Sequence, residues 1–200
     1  AALMHAGFQL SVSMVTLLSS HSIGSKHSGN RTLQLVLGFF AGTVTMTTLL
    51  VSFLAYLVST LYSAYVPLWV WAAVCGLLIG LGIAVWVFYY RRRSGTTLWV
   101  PRSLARFLTE RIKATKSPVE SFSLGLTGVI AEVLFMLAPA AAAALSLTYL
   151  PHRWQLPGLL LYIVLASLGM MIVVVLIGSG HKISAIQRWR ESNKRFLQFI

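Results

Sequence analysis

The sequence predicts an all-α fold, a polytopic bundle of membrane-spanning helices, on three observations. Of its 200 residues, 57% are hydrophobic and only 10% charged, against about 25% charged in a soluble domain. The acidic residues are Glu110, Glu120, Glu132 and Glu191, with no Asp anywhere, too few to help cover a water-facing surface. Apolar runs of about eighteen residues or more recur, each long enough to cross a bilayer. Backbone groups in lipid must bond within the protein, so such runs are helices or closed barrels. These runs are continuous rather than alternating, which selects helices.

Five spans are expected. The first, 2–22, is polar for a span, with Gln9, Ser11, Ser13, Thr16, Ser19 and Ser20. The second covers 33–62. Pro67 opens a third that runs to Tyr90. The fourth covers 119–148 and the fifth 157–178, after a short loop bracketed by Pro151 and Pro157. Between spans three and four lies a basic segment, 91–117, and the tail from 180 is basic again. Within 101–114, Pro101 suits a helix start. Leu104, Phe107, Leu108 and Ile112 then share a side, as in a short amphipathic helix in the headgroup layer; an ordinary connecting loop is the alternative. Ala1–His5 has no basic region or cleavage site of a signal peptide.

The net charge of +12 does not indicate nucleic acid, because the Lys and Arg residues sit in short segments between apolar runs. That distribution marks the cytoplasmic side and attracts anionic lipid heads. Segment 91–117 is the most basic and is placed inside. Loop 62–67 then falls outside and carries no charge, and loop 23–32 falls inside with Lys26 and Arg31. Loop 149–156 falls outside with only Arg153, the tail inside, and the N-terminus outside. The expected location is a bacterial inner membrane, multi-pass, with membrane lipids as partners and a homo-oligomer possible.

This topology divides the chain into a half at 1–90, the connecting segment 91–117 and a second half at 118–200. With three spans each, the halves would have opposite orientation. Gly7-Phe8-Gln9-Leu10-Ser11 resembles Ser121-Phe122-Ser123-Leu124-Gly125 at the two half starts, an alignment that two helices of similar composition also reach by chance. Gly38 and Met46 in span two have the same spacing as Tyr162 and Met170 in span five. Phe196–Ile200 reads as the opening of a sixth span, completing a three-plus-three inverted repeat.

Glu132 is the sharpest candidate for chemistry. A charge at mid-span costs about 2.5–3.5 kcal/mol on insertion scales, so it should face the bundle interior, be paired or be protonated. It is a candidate proton or cation carrier; the plainer reading is a protonated Glu bonded to a neighbouring helix. Gln9, Ser13, Thr16 and Ser20 share a face of span one, which either lines a water-filled path or binds helices together. The polar start of span four, Glu120, Ser121, Ser123 and Thr127, would meet it near a central site. Pro139 is expected to kink span four beyond Glu132.

His5 and His21 lie about 24 Å apart along one straight helix and cannot share a metal ion. His21 with His27 could bind a cation at the cytoplasmic mouth, or simply lie at the interface. Met14, Met46, Met136, Met170 and Met171 offer soft ligands for copper(I), or ordinary packing. Gly38–Gly42 and Gly76–Gly80 read as close helix packing. Trp69, Trp71, Trp99 and Trp154 read as interfacial anchors. Cys75 is the single cysteine. No nucleophile motif, metalloprotease motif or phosphate loop occurs, so neither an enzyme nor a cofactor is expected.

The run from Phe122-Ser123-Leu124-Gly125-Leu126 to Ala138-Pro139 resembles the half-opening helix of the lysine-exporter superfamily. Trp189–Ile200 is similar to the approach to that family's last helix. The resemblance implies a small six-span carrier of inverted halves that exports amino acids or metal ions. The chain lacks the paired membrane cysteines of the superfamily's electron-transport branch, and span one has no proline at a break position. The expectation is therefore a secondary transporter for a small solute or metal ion, with Glu132 coupling to protons or cations. The alternatives are a non-transporting membrane subunit that binds a cytoplasmic partner or anionic lipid, and an intramembrane enzyme using Glu132 and a histidine.

Overall fold

The computed structural model describes residues 1–7, 14, 15, 18, 29–62, 65–84 and 102–179. Among these residues the secondary structure is entirely helical: α1 (Ala2–Gly7), α2 (Gly29–Leu61), α3 (Leu68–Ala84), α4 (Arg102–Ala114), α5 (Pro118–Ala131), α6 (Val133–Thr148), α7 (His152–Ala166) and α8 (Leu168–Gly178).

Helix α2 has 33 residues, about 50 Å at 1.5 Å per residue, and no charge after Arg31. It is the one described helix that is by itself long and apolar enough to cross a membrane. Up to three spans are present if each of two bent pairs, α5–α6 and α7–α8, counts as one. Helix α3 is apolar but has only 17 residues, roughly 26 Å.

Helices α2 and α5 form the closest packing. Arg31 donates to the Lys116 carbonyl at 3.1 Å, and Ser121 Oγ donates to the Leu35 carbonyl at 2.6 Å. Farther along, Gly42 lies against Phe122 and Gly125, so the two helices run parallel. A side chain on Gly38, Gly42 or Gly125 would strike the backbone of the facing helix, at Pro118, Phe122 and Phe39 respectively. Here glycine is required by close approach. A Cβ on Gly76 or Gly80 would meet nothing within 4 Å, so that second GxxxG does not pack within the described structure.

The start of α5 follows from Ser117-Pro118-Val119-Glu120. Ser117 Oγ accepts from the Glu120 amide, and the Glu120 carboxylate accepts from the Ser117 amide, closing a capping box with Pro118 at the first turn. Such a box satisfies two amides that the helix cannot. Glu120 and Ser121 thus serve capping and packing, and Thr127 donates to the Ser123 carbonyl of its own helix. Three of the four polar residues at the start of α5, Glu120, Ser121 and Thr127, thus make bonds within the fold.

Helix α4 confirms the amphipathic stretch in the connecting segment, but its inner face meets protein. Leu108 and Ile112 are buried in an apolar cluster with Leu35, Val36 and Phe39 of α2. Phe107 stays exposed, with the Arg111 guanidinium 5.5 Å from its ring centroid.

Candidate functional site

The site lies at the break between α5 and α6. Helices α5 and α6 meet at 87°, and the residue between them is Glu132, only 3% exposed. The backbone at Glu132 (φ −90°, ψ −1°) is in the sparsely allowed bridge region. Its amide donates to the Gly128 carbonyl at 3.1 Å, and its carbonyl accepts from Phe135 and Met136 at 2.8 and 3.1 Å. One residue therefore closes one helix and opens the next without orphaning its own backbone groups.

The 87° bend falls before Pro139, between Ala131 and Phe135. Pro139 lies well inside α6, which continues past it. A proline disturbs the turn that precedes it, through the carbonyl four residues back; that carbonyl is on Phe135, beyond Glu132. No proline or glycine marks the actual break, and nothing in the local sequence explains why it falls there.

One turn before Glu132, Gly128 leaves a gap on α5. The position of a Cβ there lies 3.5 Å from Met14 Sδ and 3.6 Å from Phe39 Cζ. Met14, Val15 and Leu18 of span one are all buried in the same cluster. These three residues share that cluster with Leu124 of α5 and with Val36 and Phe39 of α2. One turn after Glu132, Met136 is 2% exposed.

A second break separates α7 from α8, which meet at 59°. Ser167 stands there with φ −90° and ψ 2°, and its hydroxyl donates to the Ile163 carbonyl at 2.7 Å. Met170, three residues on, is fully buried with Met14.

A polar pair that the sequence did not connect joins α1 to α7. His5 Nδ1 and Tyr162 Oη lie 3.0 Å apart, and both residues are buried. Tyr162 belongs to a cluster with Val51, Ala140 and Ala143. Their separation of 157 positions left no local pattern to read; the signal was only a polar group in each of two apolar runs.

Of the other candidates, Gln9, Ser13, Thr16, Ser20, His21 and His27 lie outside the described residues. Met46 is half-buried on α2. Among the described residues no three His, Cys, Asp or Glu side chains gather as a metal site. Cys75 is exposed on α3. In comparisons with known proteins, no family model matches the chain, and no curated protein or solved structure matches it.

Proposed function

We propose that the chain is a secondary transporter that moves a small solute or metal ion outward by alternating access, with Glu132 as the coupling carboxylate. The observation that carries this reading is the burial of Glu132 at the 87° break between α5 and α6. Broken spans bring helix ends to the middle of a bundle, where carriers hold their ions. A buried carboxylate is costly as a charge unless it is paired, and a proton or a cation is a partner that can be exchanged.

The inverted repeat is supported by pairs of contacts. Setting Gly7 level with Ser121, and Gly38 with Tyr162, brings Thr43 to Ser167 and Phe39 to Ile163. Thr43 Oγ1 donates to the Phe39 carbonyl at 3.1 Å, as Ser167 does to Ile163. The same alignment brings Met14 to Gly128, and these two residues face each other, as positions near a two-fold axis should. It brings the His5–Tyr162 pair to Val119 and Gly38, one residue from the Gly38–Pro118 approach.

The test is solute-induced thermal stabilisation of the purified protein, wild type against Glu132→Gln. The panel holds divalent cations, copper(I), amino acids and a pH series. A ligand bound to the native state alone raises apparent stability by about 2.7 kcal/mol at a hundredfold excess over its Kd. A stabilising solute whose effect Glu132→Gln abolishes is the expected outcome. No stabilising solute, with Glu132→Gln as stable as wild type at every pH, would sink the reading. The use of Glu120 and Ser121 in capping and packing favours the second reading, a non-transporting subunit, and that result would leave it standing.

A further inference from the structure

We infer that α4, with the adjoining starts of α2 and α5, forms a docking surface for the anionic headgroups of membrane phospholipids. Phe107 lies at the acyl boundary of this surface and Arg111 on the phosphates beside it. The inference goes beyond the carrier reading and does not depend on it.

Helix α2 sets the level of this surface. It is long and apolar enough to cross a membrane, and its one charged residue, Arg31, stands in its first turn. The Arg31 guanidinium donates to the Lys116 carbonyl at 3.1 Å, just before Pro118 opens α5. The end of α4 and the starts of α2 and α5 therefore share one height. An apolar span leaves the hydrocarbon and enters the headgroup layer at such a height.

The structure changes which residues of α4 can meet lipid. Leu108 and Ile112 are buried in a cluster with Leu35 and Val36, so the apolar face is taken by protein. At 3.6 residues per turn, Phe107 and Arg111 lie on one flank of that face, Lys113 on the other, and Glu110 opposite it. Phe107 is 45% exposed, with the Arg111 guanidinium 5.5 Å from its ring centroid. A ring beside a cation suits the layer where acyl chains give way to phosphates, since each group meets its own medium. Val119, in the first turn of α5, is also exposed, which favours lipid over a water-soluble acidic partner. Arg31, Arg111, Lys113 and Lys116 are all exposed. Against these four cations stand Glu110 and Glu120, and the Glu120 carboxylate accepts from the Lys116 and Ser117 amides. The surface is therefore positive at the height where lipid phosphates lie.

The test has two arms, both on the full chain. In the first, nitroxides are placed on Phe107→Cys and on Glu110→Cys in a Cys75→Ala background, because Cys75 is exposed. The protein is reconstituted in vesicles containing phosphatidylglycerol. Collisions with oxygen, which concentrates in lipid, should prevail at position 107, and collisions with a water-soluble nickel chelate at position 110. Nickel contact at both positions overturns the proposal and leaves a water-soluble partner for the basic surface. In the second arm, phosphatidylglycerol added to the protein in detergent should raise its melting temperature. Phosphatidylcholine should do so less, and inorganic phosphate not at all. Arg111→Gln and Lys113→Gln should each weaken phosphatidylglycerol binding about fivefold, the effect of one cation at an anionic surface, and Glu110→Gln should not weaken it. The substituted side chains are exposed, so the variants should fold, which their melting without lipid checks; if Arg111→Gln does not fold, Lys113→Gln carries the test. Equal stabilisation by the two lipids, stabilisation by phosphate alone, or phosphatidylglycerol binding unchanged in the Arg111 and Lys113 variants overturns the surface.

Discussion

His5 and Tyr162 each place a polar group among apolar side chains, and each is satisfied by the other across 3.0 Å. Interhelical bonds in membrane proteins contribute about 0.6 kcal/mol on average and up to about 1.7. Tyr162→Phe and His5→Leu should therefore each lower unfolding free energy by roughly that amount, and the double variant should cost less than the sum. Equal and additive losses in a double-mutant cycle would show that the bond contributes nothing. The pair also marks the limit of residue-scale reading. Glu132 stood out because a lone carboxylate in an apolar run is an anomaly visible without neighbours. His5 gave no such sign, because its meaning depends on a partner 157 positions along the chain. Gly38 and Gly76 show the same limit, since identical GxxxG spacing predicted identical packing. The structure separates them: a Cβ on Gly42 strikes Phe122, and one on Gly76 or Gly80 meets nothing within 4 Å. Gly42→Ala should destabilise by about 1–3 kcal/mol through overpacking. Gly76→Ala should be neutral or stabilise by up to about 1 kcal/mol through helix propensity. Thermal melts of the two variants in one detergent check the contrast.

At the scale of elements, the continuous apolar runs are helical at α2, α3, α5–α6 and α7–α8, as backbone that must bond within its own segment should be, and α2 alone is by itself long and apolar enough to cross a membrane. The breaks were not legible. Span four was expected to bend at proline, the usual cause of a sharp kink, yet both observed breaks sit at residues with bridge-region backbone, Glu132 and Ser167. Each keeps its own backbone hydrogen bonds, so the bend does not need a residue that lacks an amide. It is set by what packs on either side: α5 is held along α2 by the glycine contacts, while α6 leans toward α3 through Ala142, Leu145 and Val74. It follows that Pro139→Ala should leave the bend intact. Spin labels on the exposed positions Ser123 and Ser146 would report the distance across the break. An unchanged distance is expected, and a longer one, from α5–α6 straightening, would return the bend to Pro139.

At the scale of the whole molecule, the loop charges and the packing bear on the same topology from independent directions. The Lys and Arg pattern alone starts spans two and four on the cytoplasmic side, so these spans should run parallel. The packing of α2 and α5 is parallel, from Arg31 with Lys116 to Gly42 with Gly125. An orientation that reversed one half of the chain would have made these neighbours antiparallel. What packing cannot supply is the absolute sense, which rests on where the positive charges go. Lys113 lies in α4, beside the starts of both α2 and α5, and Arg153 lies near the start of α7, at the far end of α6. In a Cys75→Ala background, Lys113→Cys should resist an impermeant thiol reagent applied to whole cells and react once the cells are opened. Arg153→Cys should react in whole cells. Both positions are exposed, so a failure to label reflects the barrier rather than burial. The reverse pattern would invert the molecule and turn the proposed exporter's outward face into its inward one. Labelling of both positions from one side would place an even number of crossings between them, and α5–α6 would then be a re-entrant element carrying Glu132 partway into the membrane and back.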